Sequence, residues 1–198
     1  MDSRLVSLSK LLSKVLRHDP HCLDITIDDH GWVNVQHLIQ RVSTRTMFTD
    51  FNLSLLIYIV RNDSKQRYSL TPDHQYIRAN QGHSIEVDVQ LKPVTPPEFL
   101  YHGTSDRNIA SIRDIGLIPG RRLYVALSID LDTATVVGRR HGGRTVVYKV
   151  LARKLNDDRM QFPEVERQKY QFFISENGVY QIKAVPPSYL TIVQMQTL

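Results

Sequence analysis

Leu91-Lys92-Pro93-Val94-Thr95-Pro96-Pro97-Glu98 decides how this chain is divided. Three prolines within five residues fix φ and remove backbone donors, so the stretch continues neither a helix nor a central strand. It is predicted to be a stiff, extended linker over 93–98. Outward from it lie two lobes, 1–92 and 99–198, whose hydrophobic patterns differ in kind.

The first lobe reads as helices followed by a hairpin. Leu5, Leu8, Leu11, Leu12, Val15 and Leu16 recur at helical spacing, and Asp19-Pro20 stops the run. A second helix is predicted over Val35 to Val42. A third, capped near Thr49 or Asp50, carries Phe51, Leu55, Leu56, Ile59 and Val60 on one face. Arg67–Leu70 and Gln75–Arg78 read as two short strands around Thr71-Pro72-Asp73. Three helices and then a hairpin is the order of a winged helix.

The second lobe alternates short apolar runs with turn signals. Strands are expected at Phe99–Tyr101, Leu123–Leu127, Thr145–Leu151, Gln171–Ile174 and Leu190–Gln194, with helices at Ser105–Ile115 and Asp132–Gly138. The expected class is α+β with a mostly antiparallel sheet.

Composition bounds the function. With 198 residues, 41% hydrophobic and 23% charged, the chain can bury a core. The single Cys22 excludes a disulfide framework and a Cys-based zinc site, and His21, His30, His37 and His74 lack metal-ligand spacing, so no metal is expected. No apolar run approaches the roughly 18 residues of a membrane span. Met1-Asp2-Ser3-Arg4 lacks the layout of a signal peptide. A soluble, cytoplasmic protein with no membrane association and no obligate protein partner is expected. The net charge of +5 is built from 17 Arg and only 8 Lys, a bias toward the side chain that grips phosphate bidentately.

Several segments carry chemistry. Arg17-His18 ends the first helix, where cations complement the helix dipole but also offer a phosphate grip and a titratable ring. Asn62–Arg67 has the composition of a solvated turn into a strand, and Asn80-Gln81-Gly82-His83-Ser84 is a donor-rich segment directly after one. In Leu100-Tyr101-His102-Gly103-Thr104-Ser105 the strand is expected to end at a glycine flanked by hydrogen-bonding side chains, and Thr104 or Ser105 is expected to cap the next helix. Val137–Arg144 packs Arg139, Arg140, His141 and Arg144 between glycines, and Ser175-Glu176-Asn177-Gly178-Val179 contains a hairpin-turn signal. The dinucleotide-binding G-x-G-x-x-G and the Walker A loop are absent.

In this order, Leu16-Arg17-His18, His30-Gly31-Trp32-Val33, Lys65-Gln66-Arg67-Tyr68, Ala79–Ser84, Leu100–Thr104, Val137–Gly142, Ser175–Val179 and Val185-Pro186 with Tyr189-Leu190 together resemble the RNA 2′-phosphotransferase family. The resemblance covers nearly the whole chain. It implies a winged-helix RNA lobe and an ADP-ribosyltransferase-like, NAD-binding lobe with the active site between them. It also implies removal of the splice-junction 2′-phosphate of tRNA by transfer to NAD. The route runs through a 2′-phospho-ADP-ribosylated RNA and yields 2′-OH RNA, nicotinamide and ADP-ribose 1″,2″-cyclic phosphate. Carried over by motif, the catalytic residues are Arg17, His18, Arg67 and Arg140. Cofactor contacts are His102, Gly103, Thr104 and Ser128, and substrate contacts are Gln81 and His83. The residue before His141 fits the motif, which assigns Arg140 rather than Arg139. Tyr124 and Ala126 stand where the family often has histidines. The partners implied are NAD and 2′-phosphorylated RNA; the alternative is NAD-dependent ADP-ribosylation of terminal phosphates of RNA or DNA.

Overall fold

The computed structural model describes residues 3–196. Met1-Asp2, on which the reading of the amino terminus partly rests, lies outside the described residues. The chain divides into two compact units, one ending at Gln90 and the other beginning at Leu91.

In the first unit, α1 (Ser3–Arg17) buries Leu8, Leu12, Val15 and Leu16 on one face. Asp19 then caps a short 3-10 turn, its carboxylate accepting from Cys22 N at 3.2 Å. After β1 (Val33–Asn34), Asn34 caps α2 (Val35–Arg45), accepting from His37 N at 2.9 Å. The third helix, α3 (Leu53–Arg61), is capped by Asn52, whose side chain accepts from Leu55 N at 3.0 Å, not by Thr49 or Asp50. The reason is a turn first: Phe51 N bonds Phe48 O at 3.0 Å, which delays the helix. β2 (Tyr68–Leu70) and β3 (Tyr76–Ala79) are the two expected strands, and β1 pairs with the free side of β3. All pairings are antiparallel. Tyr68 ties this sheet to α1, its hydroxyl bonding Ser9 O at 2.8 Å and Ser13 Oγ at 2.6 Å.

The second unit holds two antiparallel sheets. One has the order β10 (Leu190–Met195), β7 (Thr145–Val150), β5 (Leu100–Ser105). The other has the order β4 (Lys92–Pro93), β8 (Phe173–Ile174), β9 (Tyr180–Ile182), β6 (Val125–Leu127). Tyr101 and Ser128 exchange backbone hydrogen bonds of 2.9 and 2.8 Å between the sheets. Helices α4 (Ile109–Ile115), α5 (Leu131–Gly138), α6 (Ala152–Asp158) and α7 (Glu164–Arg167) complete the unit. Leu100, Val146, Val150, Leu155, Phe172 and Ile182 are fully buried in its core. The architecture is therefore mixed helix and antiparallel sheet.

Two further readings are refined. The proline-rich stretch, expected as a stiff extended linker, starts as an edge strand, where the missing N–H of Pro93 costs no ladder bond. Farther on, Pro96 is buried and its carbonyl accepts from Arg153 Nε at 2.9 Å. Strand β5 does not end at Gly103, since its pairing with β7 continues through Ser105.

Candidate functional site

The first unit gathers its chemistry where α1 ends. His18 N still bonds Lys14 O at 2.9 Å, so Arg17 and His18 leave from the last helical turn. The segment after β3 fastens there: Ser84 N donates to Arg17 O at 2.9 Å, and Ser84 Oγ lies 2.9 Å from His18 Nδ1. Gly82 takes φ +88°, a conformation that favours glycine, and a Cβ there would come into van der Waals contact with the Arg17 guanidinium. Gln81 is half-buried and His83 is buried, with only 2% of its surface exposed. Burial, reinforced by the charges of Arg17, His18 and Arg78, lowers the His83 pKa from 6.5 to about 4. The ring is therefore neutral at physiological pH.

Arg67 reaches the same region from the exit of α3. Asp63, 6% exposed, accepts from Arg67 N at 2.7 Å and Lys65 N at 3.3 Å, and pairs with the Arg67 guanidinium. Asn80 N bonds Arg67 O at 2.8 Å, and the Asn80 side chain donates to Gln66 O at 2.8 Å. His18 and Arg67 line one cleft of about 430 Å³, with Lys10, Ser13, Lys14 and Asp63 among its walls. The stretch with the composition of a solvated turn is thus built around a buried carboxylate that aims Arg67.

The second unit carries the other set. His102 Nδ1 donates to Ala126 O at 3.1 Å, since a carbonyl can only accept. Burial lowers the His102 pKa despite that bond, with smaller lowering from His141 and Arg122. A neutral ring that donates through Nδ1 leaves Nε2 as an acceptor. Gly103 is required by packing, because a Cβ there would stand 1.7 Å from Ala134 O on α5. Thr104 is buried and its hydroxyl accepts from Asn108 Nδ2 at 2.9 Å, while Ser105 caps the following 3-10 turn. Ser128 sits beside this strand through its bonds with Tyr101.

Arg139, Arg140 and His141 form the 3-10 turn that ends α5. Arg139 is held by Gln196, Nε and Nη2 each 3.2 Å from its Oε1. Arg140 is exposed and makes no hydrogen bond or ion pair among the described residues. Ser175–Val179 is the hairpin turn between β8 and β9, closed by Ser175 N to Val179 O at 3.1 Å. Of the positions that depart from the family pattern, Ala126 contributes its carbonyl to His102, and Tyr124 stacks edge-on to Phe173 at 5.7 Å.

Sequence reasoning missed Asp63, Ser84 and Arg78. A carboxylate four residues before Arg67 was the available signal for the first. Arg78 was read only as the end of a strand, yet it is 8% exposed and its guanidinium lies 4.6 Å from the Trp32 ring centroid.

Comparison with known proteins gives a consistent result. A family model described as RNA 2′-phosphotransferase, Tpt1 / KptA family, matches residues 3–183. A probable RNA 2′-phosphotransferase of Acaryochloris marina is 41% identical over 98% of this chain and 100% of its own length. One of Hahella chejuensis is 40% identical over 98% of this chain and 97% of its own. Another, of Fusobacterium nucleatum, is 36% identical over 93% of this chain and 97% of its own.

Proposed function

The chain belongs to the RNA 2′-phosphotransferase (Tpt1 / KptA) family, and from that premise we propose that it removes a 2′-phosphate from RNA by transferring it to NAD. The observation that carries this reading is the cleft on which the first unit places His18 and Arg67, with Arg17 on the adjoining residue. Guanidinium groups hold a phosphate dianion and neutralise charge spreading over its oxygens. In the same reading the first unit is a winged helix, supported by its three helices and three-stranded antiparallel sheet. The second is ADP-ribosyltransferase-like, and the reading is of a protein that acts in the cytoplasm.

The residues fit NAD as co-substrate in one respect: neutral His102 offers Nε2 as an acceptor for a ribose hydroxyl. Gly103 and Ser128 contribute backbone beside it, and Thr104 supports the turn that follows. In the first step a 2′-phosphate oxygen bonds the ribose C1″ as the C–N bond to nicotinamide breaks. Arg17, Arg67 and Arg140 orient that phosphate. In the second the 2″-hydroxyl bonds phosphorus, losing its proton to solvent, as the P–O2′ bond breaks and His18 delivers a proton to the departing RNA oxygen. Gln81 and His83 contact the RNA.

Incubation with NAD and an internally 2′-phosphorylated oligonucleotide tests this. Phosphate loss with nicotinamide release is expected; absence of both overturns the reading. A stable ADP-ribose cap on a 5′-phosphorylated strand, without that turnover, supports the alternative activity instead. Arg67→Ala and Arg140→Ala are expected to slow the second step roughly 100- to 1,000-fold, so that ADP-ribosylated RNA accumulates. Unchanged turnover in both removes them from the catalytic set.

A further inference from the structure

Arg78 stands in an unusual place for a cation. It leaves β3 into the interior of the first unit, 8% exposed, with its guanidinium over Trp32. Its Nε and Nη1 are buried without a hydrogen-bond partner, and no carboxylate pairs with it among the described residues. The neighbouring His83 Nε2 is likewise buried and unpartnered. Burying a cation without a counter-ion is costly, so a cluster of this kind is expected to find its negative charge elsewhere. The cluster includes Arg17, alongside Gly82 and close enough for its charge to act on His83. Nothing in the motif set had given Arg78 a role.

We infer that Arg78 is a specificity-determining residue for the 2′-phosphate: a fixed positive charge beside Arg17 and His83 that makes the cluster select a phosphate monoester dianion over a phosphodiester. It acts as a positioning residue, through the field it adds to that of Arg17 around His83. A terminal phosphate near neutral pH carries close to two negative charges and a diester one, so an extra uncompensated cation favours the former. Stacking on Trp32 fixes the guanidinium plane and holds the charge in place. The inference rests on the proposed function and deepens it.

Binding without NAD isolates this effect from chemistry. The full-length protein is titrated with a labelled oligonucleotide bearing one internal 2′-phosphate and with its 2′-hydroxyl twin. Inorganic phosphate serves as competitor, to separate recognition of the RNA-borne group from that of the free ion. Arg78→Met is expected to weaken the phosphorylated strand roughly 10- to 100-fold and the twin by less than about threefold, with Arg78→Lys recovering most of the loss. Equal weakening of both strands, or of neither, overturns the inference. If Arg78→Met does not fold, Arg78→Lys decides, because it keeps the charge and gives up the planar stack: retained discrimination supports the inference and lost discrimination overturns it. A wild type that discriminates but does not turn over NAD sinks the proposed function alone. A wild type that turns over while Arg78→Met discriminates unchanged sinks only this inference.

Discussion

His83 couples the candidate site to stability. Its folded pKa of about 4 lies below the 6.5 of an exposed imidazole. Between those values the unfolded chain binds a proton that the folded chain does not, so stability falls as pH drops through that window. The ring is nearly inaccessible, so the shift converts to about 3 kcal/mol lost by the bottom of the window. His83→Gln should flatten the dependence of Tm on pH between about 4 and 6.5, leaving the slope of the same sign contributed by His102. Thermal melts of both proteins across that range check this; parallel profiles would show that His83 is not held neutral by the fold. The residue's motif was legible in the sequence, but its burial was not. Only the return of 80–84 onto the end of α1 encloses it.

At the scale of elements, Gly103 and Gly138 let α5 lie against β5 almost backbone to backbone. A Cβ at Gly103 would meet Ala134 O at 1.7 Å, and one at Gly138 would meet Thr145 Cγ2 at 2.6 Å. Gly103→Ala must push α5 outward, at a cost of roughly 3 kcal/mol or more. A fall in Tm on the order of 10 °C is expected by calorimetry. Because α5 carries the turn with Arg140, turnover should fall as well, and a variant melting like the wild type would refute the packing argument. The close approach of a helix to this glycine was not legible in the sequence, which had marked it for a ligand's. What was legible here were elements with long periodic faces, such as α1, and local turn chemistry, such as the Asn177-Gly178 hairpin. The two-residue β1, the three-residue β9 and the short α6 and α7 escaped because such segments carry too few residues to display a period. Their pairing and packing partners, distant in sequence, select them.

For the whole molecule, net charge and site charge diverge. Up to Gln90 the chain has as many basic as acidic residues, ten of each, so the surplus of +5 belongs entirely to the second unit. Within the neutral first unit the charges are sorted. Arg67 lines a cleft with His18, Lys10 and Lys14, whereas Asp24, Asp28, Asp29 and Glu86 line a separate cleft of about 450 Å³. RNA held by a few converging arginines, and not by a broad basic face, releases few counterions. For three or four phosphate contacts on a single strand the slope of log K against log salt is about −2 to −3. Titrating the 2′-phosphorylated oligonucleotide between about 50 and 200 mM salt measures it. A slope steeper than about −5 would assign binding to a wide surface, with the exposed Arg121, Arg122, Arg140 and Arg144 of the second unit as its components. A shallow slope abolished together with 2′-phosphate discrimination in Arg17→Ala would instead locate affinity and specificity in the same few side chains.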